Sequence, residues 1–372
     1  MSYYPQRLMN RPHVPGRCVH PSVTIAREAT ERFRLAVASP RGSRAANGRP
    51  RVILESGEAW TPRTDYGWRS FGGILFRSHP YRGQEDLQNL KELVRTIWDE
   101  EGPAAQFTIC DFDWRLFQHP GIDPTRRVRI WEVEPERPIG FAWYTPPGDV
   151  EIILTPAHRE MSVFQPMLEW SVACHRAEGG DEDQLGFWAL DSDVSVPFLL
   201  RRLGFIPTDR QYLHLLWEPK LPLPLPVLPD GYRFARVRGI EDLDRRVEVH
   251  RAAFDPSRLT RGSYRALMES AGYRGELDVV IEDSDRSYAA FALGWLALDE
   301  GIGQIEPVGT DPRHRGRGLA SAAALELLRR MERLGASRVL ICTQSDVLAD
   351  RLYRDLGFRA VASSRRYVRA RP

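Results

Sequence analysis

A chain of 372 residues is too long for one ordinary compact domain, and at roughly 100–200 residues per domain it predicts two. Hydrophobic residues at 42% and charged residues at 27% exclude a disordered chain. The net charge of +2 is unevenly laid out: residues 1–50 carry nine Arg against Glu28 and Glu31, or +7, while the other 322 residues sum to −5.

Other classes fall away quickly. Lys91 and Lys220 are the only lysines among 52 basic residues, a skew that reports the coding DNA rather than a function. The longest strongly apolar run, Tyr288 to Leu298, is about half of the roughly 20 residues that span a bilayer, so no membrane association is expected. No apolar signal core stands near the start. Cys18, Cys110, Cys174 and Cys342 are scattered, which fits a reducing, cytoplasmic setting better than a disulfide framework. The histidines are equally dispersed, and no metal site is expected.

Residues 1–70 are rich in Arg, Pro, Ser and Gly and lack a sustained period. Val23 to Val37 reads as one helix and the rest as a poorly ordered basic extension. Nucleic acid is not its expected partner, because interleaved aromatics and a helix-turn-helix are both missing. Residues 71–218 form a first folded half. Residues 219–229 form a connector, since Pro219, Pro222, Pro224, Pro226 and Pro229 cannot supply the donors of a central strand. Residues 230–372 form a second half.

The halves repeat each other. Arg82-Gly83-Gln84-Glu85-Asp86-Leu87 recurs 156 residues later as Arg238-Gly239-Ile240-Glu241-Asp242-Leu243. Pro156-Ala157-His158-Arg159 recurs at the same offset of 156 as Pro312-Arg313-His314-Arg315. Leu199 to Phe205 recurs 153 residues later as Leu352 to Phe358, with Leu-Gly-Phe closing both. Two copies of one fold are the simplest explanation.

The second half is the more readable. Tyr232–Val237 predicts a strand, Glu241–Phe254 and Arg261–Ser270 predict helices, and Leu277–Glu282, Ala289–Leu298 and Ile302–Thr310 predict three strands separated by turn signals. Ala320, Ala324, Leu327, Met331 and Leu334 then recur at helical spacing up to Gly335. Arg338–Thr343 predicts a strand and Asp346–Leu356 a helix, with Phe358–Val361 and Arg366–Val368 as two final strands. This order predicts an α/β fold whose sheet is of mixed direction.

Chemistry concentrates in Val308-Gly309-Thr310-Asp311-Pro312-Arg313-His314-Arg315-Gly316-Arg317-Gly318-Leu319-Ala320. A strand runs into a glycine loop that opens a helix. Such a loop turns N–H groups toward one point, and the helix N-terminus adds about half a positive charge. The arrangement suits a pyrophosphate. The spacing of other nucleotide motifs is absent.

On these residues the second half resembles the GNAT superfamily of N-acetyltransferases. Arg313-x-x-Gly316-x-Gly318 matches the family's acetyl-CoA signature, and Asp346 through Phe358 matches a later one with Asp in place of Asn. The strong match covers about 230–370 and a weaker one 71–218, so the whole is similar to tandem GNAT proteins of the mycothiol synthase type. The resemblance implies α/β tandem folds, each a mixed, mostly antiparallel sheet flanked by helices. It implies acetyl-CoA as co-substrate, an amine acceptor as partner, and N-acetyltransferase activity on a small amine or aminoacyl compound by direct attack. Transfer to a protein or peptide amine, or a catalytically silent CoA-sensing or nucleic-acid-associated role, are the alternatives.

The resemblance also implies roles. Backbone groups of Val308, Gly309 and Thr310 would pair with the pantetheine arm. The loop Arg313, Arg315, Gly316, Arg317, Gly318, Leu319 and Ala320 would hold the pyrophosphate. An alkyl amine with a pKa of roughly 10 must lose a proton to attack, so a base is useful; Glu306 stands where the family often places it. Tyr353 matches the family's general acid, and Asp346 stands at the cofactor or at its helix cap. The first half departs from this pattern: Glu160 and Ser162 fall opposite Gly316 and Gly318, and Leu200 replaces Tyr353. It is expected to keep the fold without binding acetyl-CoA productively. Trp114, Trp131, Trp143 and Trp188 are expected in the core, and Cys342 is expected to be inert.

Overall fold

The segments that repeat in sequence are structural punctuation. In the computed structural model, which describes residues 69–71, 74–117, 123–181, 184–220, 222–344 and 347–369, Asp86 accepts from the backbone N–H of Arg82 at 2.7 Å and from its Nε at 3.1 Å. Asp242 does the same for Arg238 at 2.9 and 3.1 Å. Burial alone would raise the Asp242 carboxyl, but the Arg238 hydrogen bonds and charge hold it down at about 2. The expected extension at 1–70, its Val23–Val37 helix, and Asp346 lie outside the described residues, apart from Arg69 and Ser70.

The first half runs β1 (Arg69–Phe71), β2 (Ile74–Pro80), α1 (Gln84–Glu101), α2 (Asp111–Arg115), α3 (Pro124–Arg127), β3 (Val128–Glu134), β4 (Arg137–Thr145), β5 (Asp149–Leu154), α4 (Met161–Ala177), β6 (Gly186–Leu190), α5 (Ser195–Arg202) and β7 (Phe205–Trp217). The second runs β8 (Arg233–Arg236), α6 (Leu243–Ala253), α7 (Arg261–Met268), β9 (Asp278–Glu282), β10 (Tyr288–Ala297), β11 (Ile302–Thr310), α8 (Leu319–Arg333), β12 (Arg338–Gln344), α9 (Val347–Asp355) and β13 (Arg359–Arg369). Neighbouring strands are mostly antiparallel; β5–β6 and β11–β12 are parallel, each joined by a crossover helix, α4 or α8. Helices pack on the sheet through apolar stripes. On α1, Leu87, Leu90, Val94 and Ile97 are buried, and on α8, Leu319, Ala323, Leu327 and Met331. The four tryptophans expected in the core are all buried. Among the described residues no helix is long and apolar enough to cross a membrane.

The halves do not keep separate sheets. One 13-stranded sheet runs β1-β2-β3-β4-β5-β6-β13-β7-β12-β11-β10-β9-β8. The last strand of each half is exchanged: β7 pairs with β12 of the second half, and β13 pairs with β6 of the first. The two exchanged strands also pair with each other. This corrects the expectation of two short final strands, because Ser363 to Arg365 are strand residues, not a turn. Their polarity is matched across the sheet: Ser363 Oγ donates to Asp191 at 2.7 Å, and His214 Nε2 meets Ser364 Oγ at 3.0 Å. Next to them, Arg366 Nε donates to Asp149 at 2.6 Å.

Helix α9 ends at Gly357, whose φ of 90° is left-handed, before the chain enters β13. A Cβ there would meet nothing nearer than Trp217 Cδ1 at 3.6 Å, an ordinary contact. Gly357→Ala is therefore expected to cost only the backbone strain, about 1–2 kcal/mol. Chemical denaturation should read that loss with the folded-state circular dichroism unchanged; a neutral substitution would show that the turn relaxes.

Candidate active site

β11 is a strand with one extra residue. Ala292 pairs with Val308 and Gly294 with Ile305, so Glu306 and Pro307 together oppose Leu293. A bulge of this kind bends the strand and re-aims a side chain, and it tolerates a proline that has no N–H to give. The Glu306 carbonyl accepts from Trp295 Nε1 at 2.8 Å. Its carboxylate is 5% exposed and accepts from Gln304 Nε2 at 3.1 Å.

The same strand parts from its neighbour. β11 and β12 pair only over Ile302–Gln304 with Arg338–Leu340; beyond that, β12 continues against β7 and β11 runs on to Thr310. Asp311 N–H is directed to Ala289 O on β10 at 2.9 Å. Strand alternation therefore turns the amides of Val308 and Thr310 toward the open edge. The Thr310 hydroxyl is buried there with no hydrogen-bond partner among the described residues.

The loop beyond is shaped for an anion. Gly316 and Gly318 both have φ of 75°, a left-handed turn, and a Cβ on either would meet nothing within 4 Å. Gly318 is the N-cap of α8 and offers no side-chain cap; the first intrahelical bond runs from Ala322 N–H to Gly318 O at 3.0 Å. The N–H groups of Leu319, Ala320 and Ser321 therefore stand at the helix mouth. The arginines are tied into the loop itself. Arg313 Nη2 pairs with Asp311 at 2.7 Å, Arg315 Nη2 donates to Ala253 O at 3.0 Å, and Arg317 Nη1 donates to Tyr232 Oη at 2.7 Å. They shape and charge the loop, while the backbone presents the donors. An open strand edge continuous with an uncapped helix N-terminus has the form that a pantetheine arm and its pyrophosphate require.

Tyr353 on α9 packs edge-on to Phe358 at a ring separation of 5.9 Å. Burial pushes its phenol up, and the nearby charge of Glu306 pushes the same way, so it keeps its proton. Burial likewise pushes the Cys342 thiol up, with the charges of Glu306, Asp111 and Glu151 adding to the effect. It is no thiolate nucleophile, as expected. Burial, aided by Arg115, holds the His214 imidazole down at about 4, so it is neutral at pH 7.

The structure brings in residues that the sequence reading did not single out for this site. Asp111 accepts from Gln304 Nε2 at 3.1 Å, Thr108 Oγ1 donates to Gln304 Oε1, and Arg115 forks onto Glu151. All five are buried. The readable signal was an acid or amide inside an apolar strand, Val150-Glu151-Ile152 and Gly303-Gln304-Ile305; the partners that make it meaningful lie up to 196 residues away.

The corresponding splay of the first half is plugged. β5 and β6 pair only over Asp149–Glu151 with Gly186–Trp188. Arg159 then fills the opening: it donates to Leu154 O at 3.2 Å and pairs with Glu101 and Asp193 at 2.8 and 3.2 Å. Gln106 Nε2 donates to Trp188 O at 3.0 Å on the other wall. The space left is ≈ 20 Å³, about one water. Glu160 is the N-cap of α4, and Leu200, opposite Tyr353, is fully buried.

Residues 240–358 match the family model described as acetyltransferase (GNAT) family. A mycothiol acetyltransferase of Segniliparus rotundus is 25% identical over 251 residues, covering 62% of this chain and 90% of its own. One from Mycobacterium leprae is 26% identical over 315 residues, covering 77% and 96%. Among solved structures, a GCN5-related N-acetyltransferase from Sphaerobacter thermophilus superposes with TM-score 0.59 at 20% identity, over 78% of this chain and 94% of that one. A tandem GNAT protein from the clavulanic acid biosynthesis pathway gives 0.58 at 14% identity, over 78% and 97%.

Proposed function

We propose a specific reaction for this chain, an N-acetyltransferase of the GNAT family built as a tandem: transfer of the acetyl group of acetyl-CoA to a primary amine of a small molecule or aminoacyl compound, by direct attack of that amine. The observation that carries the reading is the convergence, at one splay of the sheet, of an open strand edge, an uncapped glycine-opened helix, a buried carboxylate and a protonated phenol. Acetyl-CoA supplies an activated acyl group when bound. The amides of Val308 and Thr310 would bind its arm as a strand binds, and the α8 N-terminus would bind its pyrophosphate. Amides on the splayed edge would donate to the developing oxyanion.

Glu306 is the proposed base. It would take the proton that the acceptor ammonium must lose, directly or through a water. Tyr353 would donate its O–H to the departing sulfur. With its pKa raised above that of a thiol, roughly 8.5, full proton transfer to the thiolate is uphill. Its main contribution would be a hydrogen bond to the developing charge, about 1.5–3 kcal/mol. Tyr353→Phe is therefore expected to lower kcat about 10–100-fold with acetyl-CoA affinity unchanged. An unchanged kcat would remove Tyr353 from the chemistry.

The first half is proposed to leave acetyl-CoA to the second. Its plug of Arg159, Glu101 and Asp193 and the carboxylate at the mouth of α4 support this. Calorimetric titration of the full chain should give one acetyl-CoA per chain, and two would overturn it. The reaction itself is tested by acetyl-CoA consumption against amines, amino acids, aminoglycosides, peptides and, given the names of the relatives, the free-amine form of mycothiol. Turnover with no amine in such a panel would reject the reading.

A further inference from the structure

The hydrogen bonds around Gln304 leave its side chain one orientation. Its carboxamide oxygen accepts from the Thr108 hydroxyl, and its two N–H groups go to Asp111 Oδ1 and Glu306 Oε2, each at 3.1 Å. Flipping the amide would set its oxygen against two carboxylates, neither of which has a proton to give when ionised. Asp111 is fixed in turn: its Oδ2 accepts the Thr108 N–H at 2.7 Å and its Oδ1 the Arg115 Nε at 3.3 Å. Burial works against its charge, but Arg115 and the Thr108 amide hold its carboxyl below the usual range. Thr108, Asp111 and Arg115 belong to the half whose own splay is plugged, and Gln304 and Glu306 to the half whose splay is open.

We propose that Thr108 and Asp111 of the first half lock the Gln304 amide so that it aims the Glu306 carboxylate, which makes Thr108, Asp111 and Gln304 positioning residues for acyl transfer. The inference rests on the reading of Glu306 as the base. It gives the first half a part in the reaction without any ligand of its own: the site is assembled across the two copies. A misplacement of a reacting group by about 1 Å costs up to about 10²-fold in rate, which sets the size of effect expected when the lock is removed.

The test is a double-mutant cycle in the full chain, reading kcat, acceptor KM and acetyl-CoA affinity. Gln304→Met keeps the shape and removes the hydrogen bonds. It is expected to lower kcat about 10–100-fold with acceptor KM and acetyl-CoA affinity within about twofold of wild type. In a Glu306→Gln background the same substitution should cost almost nothing more, because residues acting through one group are non-additive. Thr108→Val, which removes only the hydroxyl, provides a second reading if Gln304→Met fails to fold; it should lower kcat several-fold with the same non-additivity. If Glu306→Gln alone leaves kcat intact, the base reading fails and this inference with it. If Glu306→Gln is crippled while Gln304→Met and Thr108→Val leave kcat untouched, or cost as much in the Glu306→Gln background as in wild type, the base survives and the positioning role is overturned.

Discussion

Gly318→Glu should weaken acetyl-CoA binding by at least about 10²-fold. Two terms add. The residue sits at φ 75°, where a side chain costs about 1–2 kcal/mol. Its new carboxylate would stand at the mouth of α8, where the pyrophosphate is proposed to lie. At about 5 Å and an effective dielectric of about 20, each like-charge pair costs about 3 kcal/mol before salt screening. The protein itself should survive. A Cβ at Gly318 meets nothing within 4 Å, and a carboxylate at a helix N-terminus is favourable to the helix. Gly318→Ala separates the terms, since it carries the strain without the charge. Isothermal titration with acetyl-CoA reads both. Affinity of Gly318→Glu within threefold of wild type would place the cofactor elsewhere. The first half carries a carboxylate at the comparable helix mouth, with Glu160 as the N-cap of α4.

Glu306→Gln is expected to lower kcat by about 10²–10⁴-fold at pH 7 while leaving acetyl-CoA affinity unchanged. The substitution keeps the volume inside the bulge and still offers an oxygen to Gln304 Nε2. What it removes is the proton acceptor. The variant then depends on the fraction of acceptor amine that is already neutral, which for a pKa of roughly 10 rises about tenfold per pH unit. The deficit should therefore shrink steadily as pH rises from 7 toward 9. A pH-independent deficit would point to a binding role for Glu306, and no deficit would remove it from the mechanism.

Both experiments concern residues that were legible before any coordinates, and the reason is locality. A strand, a glycine loop and a helix that follow one another in the chain must meet in space, so Val308 to Ala320 carry their geometry with them. The repeat was legible for a related reason. The recurring residues build the Arg–Asp loop closures, the turns before α4 and α8, and the glycine exits into β7 and β13. Tyr353 needed only its helix to be placed correctly. Asp346 remains an expectation.

The exchanged strands and the cross-half network were not legible, because both depend on which segments become neighbours. Nothing in Arg359–Arg369 names β6 as a partner. Ser363 and Ser364 look like a break in an apolar pattern until Asp191 and His214 face them. Gln304 likewise is an amide inside an apolar strand, unexplained until Thr108 and Asp111 arrive from the other half. By itself, the sequence determined the two copies and the strand, glycine loop and helix of the proposed site, since each is written in residues close along the chain. The tertiary structure alone decided that the copies share one sheet and that the first reaches Gln304 of the second. Strand pairing and buried hydrogen bonds are satisfied between distant residues, and the local pattern holds no record of which distant residue will supply the partner.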